Sequence, residues 1–143
     1  MRGKFSMHKN DNFEAVVQEW TAKANNDLLN ASHTLKLGKR CPTDTVCFHA
    51  QQCVEKYIKA FLVAENIKFP RTHDIEVLVS LLHKHIRFPL TIEQQRQLTG
   101  YASAARYPGF SEPISLAEAK EAVKIARRVK KEIQKLLGKK PLF

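Results

Sequence analysis

The stretch CFHAQQCVEKYIKAFL, residues 47–62, decides the fold class. Its apolar residues Ala50, Val54, Tyr57, Ile58, Phe61 and Leu62 recur at intervals of three and four, the period of an α-helix with an inward face. His49, Gln52, Lys56 and Lys59 recur at the same intervals and form a polar stripe along that helix. Two readings of the stripe stand side by side. An imidazole, an amide and two ammonium groups in one row could hold a phosphate or a base edge. Equally, the row is the wet face of an amphipathic helix, with Glu55 and Lys59 as an i, i+4 ion pair.

The same period extends outward in both directions. This helix begins after Cys41-Pro42, with Thr43 or Asp44 able to cap it, and ends near Asn66. Upstream, Phe13, Val16/Val17, Trp20, Ala24, Asp27/Leu28, Ala31 and Leu35 place a first helix over about residues 12–37, stopped by Gly38, with Trp20 in the core register. Downstream, Ile75, Leu78, Val79, Leu82 and Ile86 form a shorter helix that Pro89 ends. Thr91-x-x-Gln94 and Ser115-x-x-Glu118 read as two capping boxes. The first opens a fourth helix with Leu98, Tyr101, Ala102 and Ala105. The second opens a last one with Leu116, Ala119, Val123, Ala126, Val129, Ile133 and Leu137. No segment alternates with period two, so the expectation is an all-α antiparallel bundle of four to five helices. Residues 1–11 and 139–143 read as tails and 12–138 as one domain.

Composition narrows the function classes. The 143 residues have no apolar run near the ~20 needed to span a membrane, and MRGKFSMHKNDN lacks the apolar segment of a secretory signal, so a cytoplasmic location is expected. Cys41, Cys47 and Cys53 are odd in number and read as reduced thiols. His49 and Cys53 stand at i, i+4, but no second His or Cys pair completes a tetrahedral set, so no metal is expected. No phosphate-loop, dinucleotide or nucleophile-elbow motif occurs, so no cofactor is expected either.

The formal charge of +10 favours a polyanionic partner. Between Glu118 and Lys140 nine basic residues face three acidic ones. Lys124, Arg127, Arg128, Lys131 and Lys135 in that segment read either as a solvated face or as a nonspecific polyanion contact. Two further places carry chemistry. In PRTHD, residues 70–74, Thr72 or Asp74 can cap the next helix, while His73 at its first turn, with Arg71 beside the helix N-terminus, could bind an anion on the free backbone N–H groups. In YASAARYPGFSEP, residues 101–113, a helix breaks on Pro108-Gly109. There Arg106 could grip a phosphate and Tyr107 stack on a base, or both could cover a bundle end.

FHAQQCVEKYIKAFL (48–62), THDIEVLVSLL (72–82) and YASAARYPG (101–109) resemble the successive signatures of the HEPN family, the higher eukaryote and prokaryote nucleotide-binding domains, over about Trp20 to Leu136. The resemblance implies an antiparallel helical bundle that is commonly a homodimer. It also implies a partner: such chains are often encoded beside a minimal nucleotidyltransferase as a toxin–antitoxin pair. Many members are metal-independent ribonucleases with an Arg-x4-6-His motif. Here no histidine follows Arg106, the last being His85, and the Arg2 to His8 string lies in a tail without helical pattern. The chain resembles instead the RYP-type branch, for which nucleotide or RNA binding is implied.

The leading expectation is therefore a nucleotide- or RNA-binding protein, the HEPN half of a toxin–antitoxin-like pair. Its candidate ligand residues are His49, Gln52, Lys56, Lys59, Arg71, His73, Arg106 and Tyr107. Two alternatives stand beside it. One is a metal-independent endoribonuclease using Arg106 with His73 or His49 as general acid–base. The other is a module that binds only another protein.

Overall fold

The structure, a computed structural model, describes residues 9–104 and 112–139. Arg106 and Tyr107 therefore lie outside the described residues. The chain forms α1 (Lys9–Leu35), a 3-10 turn (Gly38–Arg40), α2 (Thr43–Ala64), α3 (Ile75–Ser80), α4 (Ile92–Ala104) and α5 (Leu116–Lys139), with no strand among the described residues. The expected all-α bundle is what folds. No helix among the described residues is long and apolar enough to cross a membrane.

α2 is the central element, packed on α1, α3, α4 and α5. Thirteen of its 22 residues are buried, too many for a single inward face. Of the polar stripe, Lys59 is buried and His49, Gln52 and Lys56 are half-buried, with Gln51 and Glu55 buried beside them, so the wet-face reading is corrected in part: the stripe is packed against other elements rather than fully solvated. The core joins Ala24, Leu28 and Ala31 of α1 to Val54, Tyr57, Ile58 and Leu62 of α2. From the far side Leu98 of α4 and Val123, Ala126, Val129 and Ile133 of α5 close it. Cys41, Cys47 and Cys53 are buried free thiols.

Helix ends follow local chemistry, with several departures from the sequence reading. α1 stops two residues earlier than expected, and Gly38 takes the positive φ of +63° in the turn that follows. Neither Thr43 nor Asp44 caps α2. Pro42 is its N-cap, and the Thr43 hydroxyl donates instead to Ile114 O at 2.7 Å, tying the start of α2 to the approach to α5. At the other end Asn66 adopts φ +58°, Ile67 N–H donates to Leu62 O and Asn66 N–H to Val63 O, a complete Schellman closure.

α3 is shorter than the pattern predicts. Leu81 N–H and Leu82 N–H donate to Leu78 O and Val79 O, i to i−3 bonds that tighten the chain out of the α-helix. Leu82 still reaches the core and Ile86 packs against it, so those apolar positions serve packing from turns rather than from a helix.

The two capping boxes behave differently. Thr91 N–H donates to Gln94 Oε1 at 2.9 Å and Gln94 N–H to Thr91 Oγ1 at 3.1 Å, closing the first reciprocally. Only half of the second forms. Glu118 N–H donates to Ser115 Oγ, but the Glu118 carboxylate is taken by Tyr101 OH at 2.5 Å and Gln97 Nε2 at 3.1 Å, pinning α4 to α5. Trp20 is also corrected. It is half-buried rather than core, its ring 6.5 Å from that of Phe69 at 65°.

Candidate functional site

The polar stripe of α2 is split between two carboxylates. Asp27 of α1, with its side chain 11% exposed, accepts from Lys56 Nζ at 2.7 Å on one oxygen and pairs with His49 Nδ1 at 2.9 Å on the other. The second carboxylate, Glu55, is 4% exposed and gathers four donors: Lys59 Nζ at 2.8 Å, His73 Nδ1 at 2.9 Å, Gln51 Nε2 at 3.0 Å and Gln52 Nε2 at 3.4 Å. Gln51 Nε2 also donates to His73 O at 3.2 Å, and Gln52 Nε2 to Gln51 Oε1 at 2.7 Å. Burial by itself would raise the Glu55 carboxyl. The hydrogen bonds from Lys59, His73 and Gln51 and the Lys59 charge outweigh it and hold the group below its ordinary value.

Lys59 is enclosed by more than its carboxylate. Its ammonium stands 5.5 Å from the Trp20 ring centroid and 5.7 Å from that of Phe69, in cation–π range of both. Trp20 also lines, with Val16, Glu19 and Lys23, a surface cavity of about 310 Å³. The charges of the stripe cancel while its histidines are neutral: Lys56 answers Asp27 and Lys59 answers Glu55. An incoming phosphate would have to compete with a carboxylate already in place at each ammonium.

The PRTHD segment is corrected in its local geometry. Asp74 is the N-cap of α3, its carboxylate accepting from Val77 N–H at 3.2 Å, so His73 precedes the helix rather than sitting in its first turn. Ile75 N–H donates to Thr99 Oγ1 at 2.9 Å, and Asp74 N–H to Thr72 Oγ1 at 3.0 Å. The N–H groups of Asp74, Ile75 and Val77 at this helix start are thus occupied, and a carboxylate stands among them. Arg71 is exposed. His73 has 69% of its side chain exposed, with its ring held through Nδ1 on Glu55. An ionised carboxylate accepts only, so Nδ1 carries the hydrogen and Nε2 is left as the basic nitrogen.

α5 sorts its residues cleanly by face. Ala119, Ala122, Val123, Ile125, Ala126, Val129 and Ile133 are buried. Lys124, Arg127, Arg128, Lys131 and Lys135 are all exposed. Lys135 faces Glu132 at 3.9 Å, and an Arg127 Nη donates to Ser32 Oγ of α1 at 2.9 Å. With Glu118 turned to Tyr101 and Gln97, one of the three carboxylates of this segment is withdrawn from that face.

The structure thus joins His49 to Lys56 through Asp27, and Gln52, Lys59 and His73 through Glu55, while the α5 cations stand on a separate surface. Sequence reasoning missed the two organising carboxylates. Asp27 carried a signal, a lone acid in the apolar register of α1. Glu55 was visible only as a surface ion pair. Among the described residues no three His, Cys, Asp or Glu side chains converge as metal ligands.

The family profile described as HEPN domain matches residues 17–136 of the chain. Two solved structures share the fold. TT1696 from Thermus thermophilus superposes with a TM-score of 0.72 at 25% identity, over 83% of this chain and 96% of its own. ST0689, described as an archaeal HEPN homologue, superposes with a TM-score of 0.64 at 24% identity, over 84% of this chain and 96% of its own. No curated protein matches the chain.

Proposed function

The chain belongs to the HEPN domain family, and from that premise we propose that it binds RNA or nucleotides through the cationic face of α5. One observation carries this choice of surface. The cations of the α2 stripe are neutralised by Asp27 and Glu55, whereas Lys124, Arg127, Arg128 and Lys131 are exposed on a face with few carboxylates. The charge of +10 points the same way. Assembly with a second copy of the chain, and pairing with a minimal nucleotidyltransferase in a toxin–antitoxin-like system, belong to the same reading and rest on family membership. Arg106 and Tyr107 belong to it as well, on the sequence alone.

Titrating a labelled single-stranded RNA from ~0.05 to ~0.2 M salt tests the surface. Each lost phosphate contact lowers the slope of log K against log salt by about 0.7. Changing Lys124, Arg127, Arg128 and Lys131 together to glutamine is expected to weaken binding and reduce that slope by up to about 3, alike for all sequences. A wild-type protein that binds no RNA at low salt, or a variant with the wild-type slope, would sink the reading.

A second reading is favoured by the Glu55–His73 geometry. A buried carboxylate orients an exposed imidazole with Nε2 as its basic nitrogen, the arrangement a general base requires. On this reading the protein cleaves RNA without metal, and His73→Gln removes the cleavage while RNA binding persists. Wild-type protein that leaves RNA intact in EDTA, or a His73→Gln protein that cleaves equally, rejects it.

A further inference from the structure

A second set of cations adjoins the α5 face. The contact between Arg127 and Ser32 carries the surface from α5 onto the last turns of α1. From there His33, Lys36, Lys39 and Arg40 are all exposed, and no acidic residue occurs between Leu28 and Thr43. Complementing the helix dipole explains a basic residue in the last turn of α1, where His33 stands. It does not explain Lys39 and Arg40, which lie beyond the helix in the 3-10 turn that Gly38 opens. The nearest acid, Asp44, has a carboxylate oxygen engaged by the N–H of Thr45.

The dimensions of the surface restrict its ligand. Lys124 and Lys135 are separated by eleven helical residues, ~16 Å at ~1.5 Å per residue. Duplex phosphates advance ~3.4 Å per residue along the helix axis, so the α5 row spans several successive phosphates of a strand. One nucleotide cannot reach both ends, and the α1 end widens the surface further.

We propose that Lys36, Lys39 and Arg40 join the α5 cations in one surface that takes the phosphodiester backbone of a polynucleotide rather than a single nucleotide. This rests on the nucleic-acid reading of α5 and assigns the end of α1 to the same site. Its occupant is recognised by phosphate spacing and not by base edges, so loss of these cations weakens all sequences together.

The test is an anisotropy titration of roughly 12-nucleotide RNA and DNA of one sequence, across salt, with wild type, Lys36→Gln/Lys39→Gln/Arg40→Gln and the charge-keeping Lys36→Arg/Lys39→Arg. Both variants are expected to melt as wild type does. The neutralised one should bind about tenfold more weakly, with a salt slope smaller by up to about 2, while the arginine variant keeps the wild-type slope. The polymer that shows this behaviour is the ligand, and ATP should not displace it at concentrations near the polymer's Kd. Wild-type slope in the neutralised variant removes the end of α1 from the site and leaves the α5 reading standing. Displacement by ATP at such concentrations overturns the polynucleotide assignment. Equal binding of a polyglutamate peptide, with the same losses in the variants, makes the surface one for an acidic protein. Absence of oligonucleotide binding by wild type at low salt rejects the α5 reading and this one together.

Discussion

Truncating Glu55 to alanine is expected to cost about 3–5 kcal/mol of folding stability, because it leaves the Lys59 ammonium buried without its counter-charge. The side chains of the pair are 4% and 7% exposed, and the same carboxylate serves Gln51 and His73. Lys59 keeps only the faces of Trp20 and Phe69, which do not replace an anion at 2.8 Å. Removing both charges in Glu55→Leu/Lys59→Met should recover much of the loss, since the desolvation of two ions is then avoided. Urea unfolding of the single and double variants measures this. A single variant within ~0.5 kcal/mol of wild type would mean that water or rearrangement satisfies Lys59.

The pH dependence of the Glu55 contribution has a definite sign. The carboxyl is held below its ordinary 4.5, so its stabilisation is present above that value and is lost as pH falls through the folded one. The advantage of wild type over Glu55→Gln therefore shrinks in acid.

Alkaline unfolding is the second large effect expected. Burial pushes the Cys47 thiol from 9.0 to about 12. Cys53 rises to about 12 through burial and the nearby Asp27 carboxylate. Tyr57 rises from 10.0 to about 12, chiefly through burial. Burial raises Tyr101 too, and its hydrogen bond to Glu118 adds to this. All four have folded values above their unfolded ones, so the stability they carry is whole below pH 9 and drains away as pH rises towards 12.

Each thiol loses about 1.4 kcal/mol per pH unit in that interval, so two thiols remove about 5–6 kcal/mol by pH 11. That equals the whole stability of many domains. Far-ultraviolet circular dichroism against pH is expected to show cooperative loss of helix between about pH 10 and 11. Cys47→Ala/Cys53→Ala should move the midpoint upward while being less stable at pH 7, where the sulfurs only fill space. An unmoved midpoint would put the alkaline limit elsewhere than in these thiols.

The sequence by itself determined the helices and the identity of the α5 outer face. Period 3.6 and capping chemistry are local, and so is the separation of Val123, Ala126 and Val129 from Lys124, Arg127 and Arg128 on a single helix. The Thr91/Gln94 box closed as written for the same reason: both partners lie within one turn. What stands opposite a helix face is not local. Asp27 lies 22 and 29 residues from His49 and Lys56, and Glu55 lies 18 from His73. Periodicity gives the angle of a side chain about its axis and says nothing of the element it meets there. Only the packing of α1, α3, α4 and α5 around α2 gathered the stripe into two ion-paired clusters on buried carboxylates, and only the approach of Tyr101 drew the Glu118 carboxylate out of its capping box. The physical reason is the same in both cases. A charge buried by tertiary packing must find an opposite charge or a hydrogen-bond donor wherever the fold supplies one, and that demand overrides the local pairing which spacing alone suggests.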